Sequence, residues 1–334
     1  SLWRISQGEA DVILVPASED LSDYMKTLGQ RAKDVEDRRV RPDEDNMLKI
    51  GSDGRKAALD LRLLDATNGY QPGCKIDAAV DELHKVWLAT RDNSYADPIT
   101  GEASTHRGAL QIVFCDLSTP NSDRWDAYNE IRDQLVARGM DRGRIRFIHE
   151  AKNDAEKARM FEACRTGGVD IIIGSTEKMG TGTNIQARAI HLMNLDAPWR
   201  PADVEQRIGR AIRQGNQNPE VAISHVVTEG SFDTFMWQTL SRKQRFIEQV
   251  MTGRGTGRSV EGDIEGGTLP TNYNEIMAAS SGNPLIFELA TAQQELTRLT
   301  RLERAHAESQ RSLGRRRSYA EAGVADARAT IPRL

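Results

Sequence analysis

Cysteine is scarce in this 334-residue chain: Cys74, Cys115 and Cys164 are odd in number and widely scattered. That pattern excludes a disulfide framework and a zinc knuckle. The six histidines show no metal-ligand spacing either. No apolar run approaches the length of a membrane span, and no signal-peptide pattern is read, so a reducing cytoplasm without a membrane partner is expected. Aromatics are few at 5%, yet 38% hydrophobic content suffices for one large or two modest domains. A net charge of −4 does not announce a nucleic-acid binder. A local positive track, with backbone amides and hydroxyls on phosphate, is nevertheless enough for such a surface.

Residues 1–107 read as a mainly helical N-terminal segment, with helical apolar spacing over 20–38, 53–64 and 76–88. From Leu110 the rhythm changes. Apolar runs at 110–115, 144–149, 170–174, 189–195 and 221–227 predict strands. The intervening helices are expected at 123–138, ended by Gly139, and at 154–165, capped by Asn153 with Glu156 completing a capping box. Strands alternating with helices predict an α/β fold with a parallel sheet over 108–252. Residues 253–283 read as a flexible Gly-rich linker. In 284–334, Leu285, Leu289, Ala292, Leu296 and Leu299 have heptad spacing, which predicts a helical or coiled-coil-like extension. Arg311 and Arg315-Arg316-Arg317 read as a solvated helix end, with a nucleic-acid patch as the alternative.

Two segments carry the chemistry. Ile171-Ile172-Ile173-Gly174-Ser175-Thr176 followed by Gly180-Thr181-Gly182-Thr183-Asn184 describes a buried strand emptying into a loop whose backbone can approach a ligand closely. Gln206-Arg207-Ile208-Gly209-Arg210-Ala211-Ile212-Arg213 follows Pro201, a natural helix start. On a helical projection Val204, Ile208 and Ala211 share one face, and Gln206, Arg210 and Arg213 the opposite one. Two guanidiniums a turn apart suit phosphate charge, although a solvated basic face is the plainer reading. Both segments are expected at strand ends on the carboxyl side of one sheet, where open α/β sheets bind ligands.

The stretches "GTGTNIQ", "NLDAPWRPADVEQ" and "QRIGRAIRQG" resemble motifs V and VI of superfamily-two helicases, in particular the Swi/Snf-like DNA translocases. Leu110 to Asp116 resembles motif IV, and Ser231-Phe232-Asp233 through Ile247 resembles the helix after motif VI. "NMLKIGSDGRKAALDLRLL", "MWQTLSRKQRFIEQVMTG" and "SGNPLIFELATAQQELTRL" are similar to segments of large helicase or helicase–methyltransferase proteins of phages, plasmids and other mobile elements. The resemblance implies a second RecA-like lobe. Arg210 and Arg213 would then act as arginine fingers, organised by Gln206. Gly180, Gly182 and Asn184 would lie near the nucleotide, and Ser175, Thr176 and Thr183 would meet the DNA backbone. Thr183 stands where many Swi/Snf-like relatives have Leu, and Ile208-Gly209 where many have a histidine or a further arginine.

No G-x-x-x-x-G-K-[ST] phosphate loop occurs in the chain. Gly51 to Lys56 lacks that spacing, and Asp81-Glu82-Leu83-His84 does not end an apolar strand. ATP and Mg2+ would therefore be held mainly by a first lobe with a Walker A and DExx box, a partner absent from this chain. None would be bound tightly here, and an isolated chain would be inactive. DNA and a fused or associated methyltransferase are the other implied partners. The competing readings are a non-catalytic docking scaffold and a nucleotide-sugar transferase; the latter gives no reason for two arginines at helical spacing.

Overall fold

The computed structural model describes residues 4–5, 10–98, 100–121, 123–180, 184–251, 276–277, 279–280 and 284–330. Residues 1–283 make one compact unit. In chain order its elements are β1 (Arg4–Ile5), β2 (Asp11–Val15), α1 (Glu19–Glu36), α2 (Met47–Leu59), α3 (Lys75–Thr90), β3 (Leu110–Phe114), α4 (Ala127–Ala137), β4 (Ile145–Phe147), α5 (Asp154–Thr166), β5 (Ile171–Gly174), α6 (Thr176–Gly180), β6 (Ala189–Asn194), α7 (Pro201–Ile208), β7 (Glu220–Thr228) and α8 (Phe232–Met251). The sheet runs β4-β5-β3-β6-β7, every pair parallel. This is the RecA-like α/β arrangement read from the sequence.

The central strands are buried on both faces, so they read as continuous apolar runs and not as alternation. Ile112, Ile172 and Leu192 point to one layer of core with Phe161 and Cys164. Val113, Ile171, Ile173 and Met193 point to the other, with Tyr128, Ile131 and Leu135 of α4. Crossover helices are stopped where expected. Gly139 (φ 96°) and Gly167 (φ 90°) take the left-handed conformation that a β-carbon disfavours. Asn153 caps α5 by accepting from the Glu156 amide at 2.9 Å, while the Glu156 carboxylate reaches back to the Lys152 amide at 2.8 Å.

The N-terminal segment is mainly helical, through α1, α2 and α3, and adds two short strands that the sequence reading did not include. β2 adds to β7 in parallel, Asp11 opposite Ser224 through Val15 opposite Thr228, and β1 pairs with the start of the same strand. Short edge strands of this kind carry too few residues to show a periodicity. α3 is not peripheral: Ile76, Ala79, Val80 and Leu83 are fully buried in the layer that holds Val113 and Met193. Both sequence decoys lie on helices, Gly51 to Lys56 within α2 and Asp81 to His84 within α3. Gly54 is there for packing, since a β-carbon on it would lie 2.6 Å from the Phe232 ring.

Most of the predicted linker, 253–283, lies outside the described residues; Ile276 and Ala279 within it are buried. A second unit, Pro284–Leu334, consists of one long helix, α9 (Pro284–Thr330). No described helix is long and apolar enough to cross a membrane.

Candidate functional site

The arginine helix is shorter than its projection requires. α7 ends at Ile208, and the chain then closes through tight bonds from the Arg210 amide to the Arg207 carbonyl (3.0 Å) and from the Ala211 amide to the Ile208 carbonyl (3.0 Å). Gly209 is the cause, being a poor helix former with no side chain to hold the next turn. Of the expected packing face, Ala211 is fully buried. Val204 and Ile208 instead wall an apolar groove of about 510 Å3, with Pro201, His225, Trp237 and the exposed Val12 and Leu14. Arg213 is exposed and Arg210 half-buried. Burial, and then the neighbouring Arg213 charge, lowers the proton affinity of the Arg210 guanidinium. Two cations are thus held within range of each other.

Arg207 is the residue that the sequence reading passed over. Its guanidinium is fully buried at the carboxyl ends of β3, β5 and β6. It donates to Thr176 Oγ1 (2.8 Å), Asn194 Oδ1 (2.9 Å), the Asp196 carbonyl (2.9 Å), Asp116 Oδ2 (2.8 Å) and Asp196 Oδ1 (3.2 Å). Asp116 also accepts from the Thr176 amide (2.6 Å) and hydroxyl (2.8 Å). Asp196 accepts from the amides of Asp116 (2.6 Å) and Leu117 (2.9 Å). Burial first, then the Asp116 charge, raises the Asp196 carboxyl above the ordinary carboxylate range, against the lowering by Arg207 and Arg55. Arg55 of α2 completes the cluster. Its side chain donates to the Ala197 carbonyl at 2.8 Å and lies 4.4 Å over the Trp199 ring.

The signal was present. Arg207 lies three residues after Val204 and four before Ala211, inside the packing face, and a buried guanidinium must find carboxylates there. Asp116 and Asp196 each stand two residues past a buried strand.

The other predicted residues distribute as follows. Thr176 begins α6, with its hydroxyl taken up by Asp116 and Arg207. Ser175 is buried, and its hydroxyl accepts from the Lys178 amide at 3.3 Å. Gly180 ends α6, while Gly182 and Thr183 lie outside the described residues. Asn184 is exposed, and its carbonyl accepts from Arg165 at 2.9 Å. Gln206 is half-buried on α7. The glycine-loop and arginine segments do meet, through Gln186 Nε2 donating to the Gln214 carbonyl at 2.8 Å. The meeting point corrects the expected location. Asn216 ties the arginine turn to the carbonyl of Ala189, the first residue of β6, at 2.8 Å. The polar network therefore sits at the carboxyl edge, while the turn after α7 descends toward the amino end of β6.

Residues 96–215 match the family model described as the helicase conserved C-terminal domain. Among curated proteins, the chain is 32% identical over 80 residues to the Defense against restriction protein B of Escherichia phage P1, covering 24% of this chain and 4% of that protein. It is 35% identical over 85 residues to the ATP-dependent helicase YqhH of Bacillus subtilis (strain 168), covering 25% and 15%. It is 32% identical over 96 residues to the human DNA annealing helicase and endonuclease ZRANB3, covering 28% and 9%. The matched stretch is thus a small part of each relative's length. The crystal structure of the C-terminal part of the Fun30 ATPase domain aligns over 72% of this chain and 89% of that one, at 14% identity and a TM-score of 0.43. Residues 96–215 are thus similar to the helicase conserved C-terminal domain, and they hold strands β3 to β6 of the parallel sheet.

Proposed function

We propose that this chain is the second ATPase lobe of a DNA-dependent translocase, supplying arginine fingers to an ATP site completed by a first lobe. The observation that carries this reading is the Arg207 network, which fastens the start of the glycine-loop segment (Thr176) to the helix that leads into Arg210 and Arg213. A rigid strut between those segments is what a phosphate-sensing element needs, because fingers act by position and electrostatics. Arg210 and Arg213 reach the γ-phosphate as charge develops on it, and Gln206 orients them. Gly180, Gly182 and Asn184 lie along the nucleotide. Ser175, Thr176 and Thr183 meet the DNA backbone; the Ser175 hydroxyl accepts from the Lys178 amide and keeps its own proton to donate to phosphate, whereas Asp116 holds both the amide and the hydroxyl of Thr176, which must exchange that partner to bind.

When bound, Mg2+ neutralises phosphate charge, and its ligands belong to the first lobe; no group of three or more His, Cys, Asp or Glu residues that could hold a metal ion occurs among the described residues. The proposal extends to a cytoplasmic, phage- or plasmid-borne parent protein with a methyltransferase as a fused or associated effector; what supports it is the resemblance of the quoted segments to mobile-element helicases and the similarity to one phage P1 protein.

The reading predicts negligible ATP hydrolysis by this chain alone, with duplex DNA and Mg2+ present. It predicts DNA-stimulated turnover when the lobe is joined to its Walker A partner. Turnover by the isolated chain at about 1 per second, an ordinary enzyme rate, overturns the half-site.

A further inference from the structure

We propose that Arg301, Arg304, Arg311 and Arg315 of α9 form a separate binding surface for the phosphate backbone of duplex DNA. The sequence alone favoured a solvated helix end. Two features of the helix change that balance. First, α9 is unbroken from 284 to 330, so residues spaced alternately by three and four fall on one face. Arg301, Arg304, Arg311 and Arg315, with Glu308 between them, follow that spacing over roughly 21 Å, and Tyr319, 82% exposed, lies on the same face one turn further on. Glu308 is the one acidic member of the row. Leu302, Leu313 and Val324, also exposed, project to the opposite side, so the arginine face is left open when the apolar face packs.

Second, the charge is concentrated and uncompensated. Six arginines and two glutamates occupy 301–317 in a chain of net charge −4. Among the described residues, Arg317 is paired with Glu321 at 2.7 Å, while none of the four row arginines has an ion-pair partner. Gly314, with open space where a side chain would lie, leaves a shallow groove bordered by Arg311, Arg315, Ser318 and Tyr319. Exposed guanidiniums in a line are complementary to a line of phosphates. They donate in the bidentate fork that phosphate oxygens accept. Such contacts position a protein on DNA without reading sequence. The proposal is independent of the ATP half-site, since it uses neither Arg210 nor Arg213.

The test is fluorescence anisotropy of a labelled 30-base-pair duplex titrated with the chain at several salt concentrations. Each phosphate contact contributes about 0.9 to the slope of log affinity against log salt. The variant R301Q/R304Q/R311Q/R315Q should weaken binding at least about tenfold near 0.1 M salt and flatten the slope by about 3.6 if all four contacts are lost. Gln retains helix propensity, and far-UV circular dichroism confirms that α9 survives. The off-row variant R316Q/R317Q/R328Q should change affinity and slope much less. Equal losses per charge in the two variants, or an unchanged slope in the first, overturn the row. Binding to phosphatidylserine vesicles with no binding to the duplex overturns it also. Loss of duplex binding that leaves ATP turnover of the two-lobe protein in saturating DNA intact supports the row and leaves the half-site reading standing.

Discussion

His191 shows how one buried side chain fixes chemistry that composition cannot reveal. It sits in β6 between two strands, its Nδ1 2.9 Å from Gln111 Oε1 and its Nε2 2.8 Å from Ser224 Oγ. Gln111 spends its amide nitrogen on the Leu83 carbonyl at 2.8 Å, so its oxygen faces the imidazole. Nδ1 must therefore carry the proton, and Nε2 accepts from the serine hydroxyl. Burial lowers the imidazole pKa to about 4, well below its value of about 6.5 in an unfolded chain. A depressed histidine pKa stabilises the fold fully above about pH 6.5, and that contribution is lost as pH falls toward 4. The loss approaches about 3 kcal/mol at the acid end. Urea unfolding between pH 7 and pH 4 should show this decline, and His191→Gln should flatten it. An unchanged acid slope in the variant would mean that other groups govern acid unfolding. His225, also pushed to about 4 by burial and stacked 4.0 Å from Trp237, adds a decline of the same sign.

At the level of elements, α3 and α8 are joined by a buried ion pair between Lys75 and Asp233, both side chains under 10% exposed. Asp233 also accepts from the Thr228 amide at 3.1 Å at the end of β7. Ser231 holds the start of α8 by accepting from the Asp233 amide at 3.2 Å. Asp233→Ala strands a buried ammonium, so it should cost about 3–5 kcal/mol. Adding Lys75→Met should recover most of that, because the uncompensated charge disappears. Thermal melts of the single and double variants decide this, and a double variant no more stable than the single would deny the pair its role. The same reasoning revises Ile208. It lines an open groove, so Ile208→Ala should fall near or below the lower end of the roughly 2–5 kcal/mol typical of a fully buried isoleucine.

For the molecule as a whole, the parallel sheet was legible because β3, β5 and β6 are apolar and flanked by turn residues. β1 and β2 were not, because strands of two and five residues are too short to show a distinctive pattern. At the candidate site, the two segments and Pro201 as the helix start were legible. The end of α7 was not, since one glycine outweighed a projection that treated 201–213 as a continuous helix. Arg207 was hidden for a related reason: the projection asked which arginines point outward, and the residue that holds the site together points inward. α2 was legible only as a helix. Its Arg55 contact to Ala197 and Trp199 spans more than a hundred residues, which local sequence cannot show.

The central claim is that Arg210 and Arg213 act in chemistry and not in folding. The most direct measurement is DNA-stimulated kcat of the complete two-lobe protein carrying Arg210→Ala or Arg213→Ala, with nucleotide affinity and melting temperature taken on the same samples. Each variant should lose about 10³ in kcat. ATP affinity and melting temperature should change little, because the finger's contact strengthens only as charge develops in the transition state. Turnover near that of the unmodified protein in both variants, or unfolding of the lobe, would contradict the account.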